Sequence, residues 1–367
     1  MAPRSPRTPR SPASGSSRAK IKLGNASVNR SDIEGLRRAW RQGELVLCLG
    51  AGVSMPYGLP SWNNLVLELL FEQAQGTRQL GSMWPHYRRA VAAWMTDYFA
   101  YNPLVLARMV ERDMQSKKRG NGAEKFLNCL RSHLYANQRI PKSRTTLQAV
   151  ADLIAARSTS GRVSSVISFN FDDLLERELR RRCVPFQSVA DSKRNNANRL
   201  SVIHAHGYVP STGTLSRDHV VFTENDYHRL TESVFHWALA EVVERLRKNT
   251  VLFIGLSMSD PSLRRLLDAS RNSDIPPHWQ IQRKHQIHDH EMLMAMQDVE
   301  ERARKYAKYL GSGFDEQKRP KELEASIQAA LTQADTYDRE VFESMGVKTI
   351  WVNEFDDISD VIDGISK

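Results

Sequence analysis

Four short segments of the chain hold residue types that could do chemistry together. Gly50-Ala51-Gly52-Val53-Ser54 follows one apolar run, and Ser168-Phe169-Asn170-Phe171-Asp172-Asp173 ends a second. His206-Gly207 closes a third, and Gly255-Leu256-Ser257-Met258-Ser259-Asp260 follows a fourth. Small residues at a strand end let a ligand approach free main-chain amides, which suits a phosphate pair. An asparagine can hold a water or a hydroxyl without adding charge. A carboxylate can favour a developing positive centre, and a histidine can take a proton near neutral pH. Each segment alone has a plainer explanation: a tight turn at Gly50–Gly52, a helix cap at Asn170–Asp172, a packed strand histidine at His206. The glycine segment is neither a P-loop, lacking Gly-Lys-Ser/Thr, nor GxGxxG, since Met55 stands at the third glycine position.

The elements that must position these residues follow from the hydrophobic pattern. Leu45–Gly50 is a continuous apolar run stopped by glycine, the pattern of a strand buried on both faces of a parallel sheet. Val163–Phe169, Ser201–His206, Val251–Leu256 and Lys348–Val352 read the same way, and Asp218–Thr223 reads as a weaker strand near an edge. Helical spacing predicts helices from Ser31 (as a capping box with Glu34) through Trp40, and over Trp62–Gln75, Tyr87–Met114, Ala123–Tyr135 and Thr145–Arg157. Others are expected over Asn225–Arg247 and Pro261–Ala269, and a charged helical region over Glu291–Phe342. The expected fold is α/β: a doubly wound, Rossmann-like, mostly parallel sheet with a helical insertion over about 63–160 and a helical C-terminal region over about 291–345. Such sheets bind ligands beyond the carboxyl ends of their strands, where all four segments fall.

The chain has 367 residues and a formal charge of +10. Six basic residues and no acid lie within residues 1–22. The remaining 46 basic residues nearly balance 42 acidic ones, so charge does not make the body a nucleic-acid binder. Residues 1–30 are expected to be a basic Pro/Ser/Arg-rich disordered tail, able at most to make weak nucleic-acid contact, with residues 31–367 forming the folded domain. Cys48, Cys129 and Cys183 are isolated, so a four-cysteine zinc module is excluded and no metal is expected. His285, His288 and His290 in KHQIHDH read as a solvated edge strand rather than a metal site. No apolar run can span a bilayer, so a cytoplasmic protein without membrane contact is the expectation.

The string GAGVSMPYGLPSW (residues 50–62) resembles the opening of the SIR2-like, sirtuin-related NAD-binding domain. Asn170-Phe171-Asp172 leading into Leu174-Leu175-Glu176 is similar to the family's catalytic Asn-x-Asp, and His206-Gly207 to its catalytic His-Gly. Gly255-Leu256-Ser257 is similar to its Gly-x-Ser segment, and the motifs in order cover residues 45–265. The resemblance implies NAD+ as substrate. It implies catalytic roles for Asn170 (holding a water or the ribose hydroxyls), Asp172 (favouring the cationic ribosyl centre) and His206 (accepting a proton). It places NAD+ binding at Gly50, Ala51, Gly52, Ser54, Gly255, Ser257 and Asp260. Asp173 is an ambiguous neighbour that could instead open the next helix.

The chain departs from protein-deacylating sirtuins in having no CxxC pair, and Cys183 precedes His206. The departures resemble bacterial antiphage effectors in which water replaces acyl-lysine. They imply an NAD+ hydrolase releasing ADP-ribose and nicotinamide in abortive infection. Such effectors form homo-oligomers or act with a partner: a HerA-like ATPase, an Argonaute-like protein or a phage component. Two other classes stay open, an NAD or ADP-ribose sensor subunit and a nucleic-acid-directed nuclease subunit. The nuclease would need clustered carboxylates for a metal, for which Asp172-Asp173 alone is thin.

Overall fold

The computed structural model describes residues 19–74, 85–99, 102–116, 122–156, 161–191, 198–217, 220–232, 236–271, 275–311 and 322–367. Strands are β1 (Lys20–Leu23), β2 (Ala26–Asn29), β3 (Leu45–Leu49), β4 (Val163–Ser168), β5 (Phe186–Val189), β6 (Leu200–His204), β7 (Thr250–Ile254), β8 (His278–Arg283) and β9 (Val347–Val352). Helices up to β5 are α1 (Arg30–Gln42), α2 (Trp62–Ala74), α3 (Pro85–Phe99), α4 (Pro103–Ser116), α5 (Gly122–Tyr135), α6 (Thr146–Ala155) and α7 (Leu174–Arg181). After β6 come α8 (Glu224–Glu232), α9 (Trp237–Lys248), α10 (Pro261–Ser270), α11 (Asp289–Tyr309), α12 (Leu323–Ser344) and α13 (Asp357–Ser366).

Seven strands form one sheet in the order β5-β6-β4-β3-β7-β8-β9, and every pairing is parallel. The chain adds strands to one side of β3, then crosses back to continue with β7 on the other. This makes the β3/β7 boundary the topological switch point of a doubly wound, Rossmann-like sheet. The alternation within the apolar runs explains their burial. Leu45, Leu47, Leu49, Leu252 and Ile254 belong to one core with α1, α6, α13 and the insertion helices. Val46, Cys48, Val251 and Phe253 belong to another with α9, α10 and α12. A strand buried on both faces has no polar side to show, hence the unbroken apolar sequence.

Register brings the motifs to one edge. Leu49 stands opposite Ser168 on one side and Ile254 on the other, and Ser168 stands opposite His204. The next residues along each strand carry the four segments.

Several expectations need correction. Residues 1–18 of the expected tail lie outside the described residues, but Lys20–Leu23 and Ala26–Asn29 form an antiparallel hairpin packed against α13 and β9. Its alternation buries Ala26 and Val28, enough apolar surface to order a basic stretch. Asn29, not Ser31, caps α1 by accepting from the Ser31 amide. Within Asp218–Thr223, residues 218 and 219 lie outside the described residues. Residues 220–223 form no strand, because the Asp226 carboxylate takes the Phe222 and Thr223 amides at 3.0 and 2.8 Å. Residues 284–288 of KHQIHDH are not a strand either. His285 donates to Asp335 through its main-chain amide and its Nδ1, and His288 opens α11. Tyr87–Met114 and Asn225–Arg247 each divide into two helices. No helix among the described residues is long and apolar enough to cross a membrane.

Candidate active site

Asn170 and Asp172 leave β4 and meet the loop from β3. The Asn170 amide nitrogen donates to the Gly50 carbonyl at 2.9 Å and to Ser54 Oγ at 3.2 Å. Ser54 in turn donates to Asp172 Oδ2 at 2.8 Å, while Asp172 Oδ1 accepts from the Leu174 amide at 3.0 Å. Ser54, Asn170 and Asp172 are therefore one buried relay, tying the glycine loop to the start of α7. Both amide hydrogens of Asn170 are committed to protein. Among the described residues nothing donates to its Oδ1, which leaves that atom to accept from a water or hydroxyl. Each oxygen of Asp172 thus accepts one hydrogen bond from the protein, which fixes the carboxylate's orientation against Ser54 and the start of α7. Burial pushes the Asp172 carboxyl up to about 6, against the Ser54 and Leu174 hydrogen bonds that favour its ionised form.

The glycine loop closes onto the loop after β7. Gly50 donates to the Ile254 carbonyl at 3.0 Å, and Gly52 to the Gly255 carbonyl at 2.9 Å. Gly255 has φ +67°, and a Cβ there would lie 2.7 Å from the Val53 nitrogen. A Cβ on Gly50 would lie 2.6 Å from the Gly255 carbonyl oxygen. Only glycines permit this apposition at the switch point. Ala51 is half-buried in the turn between them and Gly52 is exposed.

His206 follows β6 and is buried, with the Phe169 and Tyr227 rings edge-on to its imidazole at 4.8 and 5.4 Å. Its Nε2 lies 3.4 Å from Asp260 Oδ2. Burial lowers its proton affinity, with Asp260 opposing, so the ring is neutral at pH 7 and able to accept a proton. Asp260 caps α10 through the Ser262 amide at 2.7 Å and also accepts from Tyr227 at 3.2 Å. It thus sits beside His206 as well as at the expected ligand loop. Ser257 is exposed and pairs with Ser259, with no bond to the other site residues.

Asp173 is a structural residue. It holds Tyr135, Arg177 and Ser211 together, which pins α5 to α7. His204, at the end of β6, bonds through Nε2 to Glu176 at 2.7 Å and through Nδ1 to the Asn170 carbonyl at 3.3 Å. Burial opposes a charge on His204, but Glu176 and the Asn170 carbonyl together raise its proton affinity. Glu176 and Tyr227 had no local signal of a role at the site, because their partners there come from other elements: His204 and Ser188 for Glu176, His206 and Asp260 for Tyr227. Glu176 showed only as part of the Leu-Leu-Glu run opening α7.

Asn170, Asp172, His206 and the Gly255–Asp260 loop all lie within residues 164–312, which match the model of the SIR2-like domain family. The Gly50–Ser54 loop lies outside that match and is joined to it by the hydrogen bonds described. No curated protein matches the chain. SIR2-like domains bind NAD+ and are in general NAD-dependent enzymes, and this chain carries a SIR2-like domain over residues 164–312.

Proposed function

We propose that the chain is an NAD+ hydrolase that cleaves the nicotinamide–ribose bond, and that it serves as an NAD-depleting effector in antiphage defence. The observation that carries this reading is the Gly50–Ser54–Asn170–Asp172 relay at the switch point, with neutral His206 on the adjacent strand. In the proposed step a water held at Asn170 Oδ1 attacks the anomeric carbon of the ribose. The carbon–nitrogen bond breaks, and its electron pair neutralises the nicotinamide. The proton of the water passes to His206, and the Asp172 charge favours the cationic ribosyl centre. Nothing in this sequence needs an acyl-lysine acceptor, which fits a chain without CxxC pairs.

A homo-oligomer acting with a partner such as a HerA-like ATPase is part of the proposal. It is supported by large apolar side chains left exposed on and just after α11, among them Leu293, Met294, Tyr306 and Leu310. The test is incubation of the full chain with NAD+, followed by mass spectrometry of the products, with Asn170→Ala alongside. Nicotinamide and ADP-ribose from wild type only are expected. Cyclic ADP-ribose would change the reaction, and binding without turnover in every assembly state would favour a sensor. In cells, phage infection should lower the NAD+ pool with the wild type and spare it with Asn170→Ala.

A further inference from the structure

Away from the switch point, the insertion helices bring together three metal-ligating side chains that are far apart in sequence. Cys129 and His133 are four residues apart on α5, so they share one face of that helix. Glu72, near the end of α2, faces them. Cys129 Sγ lies 3.0 Å from Glu72 Oε2, and His133 Nε2 contacts the same oxygen. One ligand atom from each residue lies within 4.8 Å of the other two. Cys129 and His133 are half-buried, whereas Glu72 is exposed and can adjust its carboxylate. Lys125, one turn before Cys129, is exposed and free to swing away.

We propose that Glu72, Cys129 and His133 form a binding site for a zinc-class divalent ion that clamps α2 to α5. The donor set selects the ion: a thiolate, an imidazole and one carboxylate oxygen suit a borderline-soft metal, where magnesium or calcium would require an all-oxygen shell. Three protein ligands leave a fourth tetrahedral position to water. The convergence of donors is close to what such a site needs, since zinc–ligand bonds of about 2.0–2.3 Å put tetrahedral ligands roughly 3.3–3.8 Å apart. The sequence excluded a four-cysteine module but could not see this one, because Glu72 is 57 residues from Cys129. The inference is independent of the NAD+ reading. Its structural consequence is that α2, which begins a few residues beyond Ser54, is held by a metal-dependent contact at its far end.

The full chain, stripped with a chelator, would be titrated with Co2+ and with Zn2+. The expected result is one ion bound per chain, a near-ultraviolet thiolate-to-cobalt absorption, and displacement of cobalt by zinc. Cys129→Ser should abolish that absorption. Glu72→Gln and His133→Gln should weaken zinc binding by at least about tenfold, the loss that even outer-shell partners cause. Cys183→Ser, at an exposed cysteine, should change nothing. Circular dichroism checks that each variant folds; should Cys129→Ser not fold, the Glu72 and His133 variants decide the matter through affinity. No thiolate absorption in the wild type, absorption that survives Cys129→Ser, or affinity unchanged in both other variants would overturn the proposal.

Discussion

Replacing Asp172 by Asn should stabilise the fold at neutral pH while removing activity, and the size of the effect follows from where the carboxylate sits. Its proton affinity is raised from an ordinary 3.8 to about 6, chiefly by burial. The folded state therefore holds the Asp172 proton more tightly than the unfolded chain does. Below pH 3.8 both states are protonated and the residue costs nothing. Between there and pH 6 the unfolded chain gains by ionising, so stability falls as pH rises; above pH 6 the loss is complete. At 1.36 kcal/mol per pH unit the full cost is about 3 kcal/mol.

An Asn side chain cannot ionise, yet its oxygen can accept from the Leu174 amide and its amide can donate to Ser54 Oγ, so both existing contacts have replacements. The stability gap between Asp172→Asn and wild type should accordingly widen by on the order of 1 kcal/mol between pH 5 and pH 8. Guanidinium unfolding of both proteins at the two pH values measures it. NAD+ turnover should fall on the order of 100-fold over the same range, since the negative charge is gone. A gap that stays constant with pH, or a wild type more stable at pH 8, would refute the claim that this carboxylate is retained at a cost in stability.

Asp260→Asn should keep α10 capped, because Asn is also a good N-cap, but it removes the one charge that raises the His206 proton affinity. The His206-linked acid limb of the pH–rate profile should therefore move to lower pH; a limb that stays put or rises would sink that assignment. Gly255→Ala forces an alanine into φ +67° and against the Val53 amide. It should cost at least about 1–2 kcal/mol in chemical denaturation and weaken NAD+ binding measured by calorimetry. His204→Ala leaves the buried Glu176 carboxylate without its cation and should destabilise the chain by about 3–5 kcal/mol. Because Glu176 raises the His204 proton affinity, the stability their pairing adds is greatest below pH 6.5. It should fade as pH rises through the folded-state value, so the wild-type-to-variant gap should narrow at alkaline pH.

What could be read from sequence, and what could not, divides along physical lines. β3, β4, β6 and β7 announced themselves because strands buried between two layers of helices are apolar on both faces, and the edge strand β9 did so through Val347, Ile350 and Val352, which are buried. β8 did not, since its sequence HWQIQR puts Gln280 in the sheet interior, where Thr349 on β9 accepts from its amide. β5 is a four-residue edge strand, too short for a pattern. The β1–β2 hairpin was hidden because it buries only two apolar residues of β2, Ala26 and Val28, and packs on α13 and β9, outside any local window.

The site shows the same division more sharply. The run Asn170-Phe171-Asp172-Asp173-Leu174-Leu175-Glu176 displays three carboxylates within five residues, and chemistry alone cannot rank them. Register can. With Ser168 opposite Leu49 and His204, Asp172 meets the Ser54 hydroxyl from the β3 loop, while Glu176 meets the imidazole of the β6 residue. Asp173, one position from Asp172, turns away to Tyr135 and Ser211. Glu176 pairs with His204 and Asp173 with Arg177, whereas Asp172 is held by the Ser54 hydroxyl and the Leu174 amide, and burial raises its proton affinity against those bonds and the field of His204. A buried carboxylate held by hydrogen bonds but, among the described residues, by no ion pair is costly to keep, and a positively charged ribosyl centre in the adjoining site would supply that partner only while the bond is breaking.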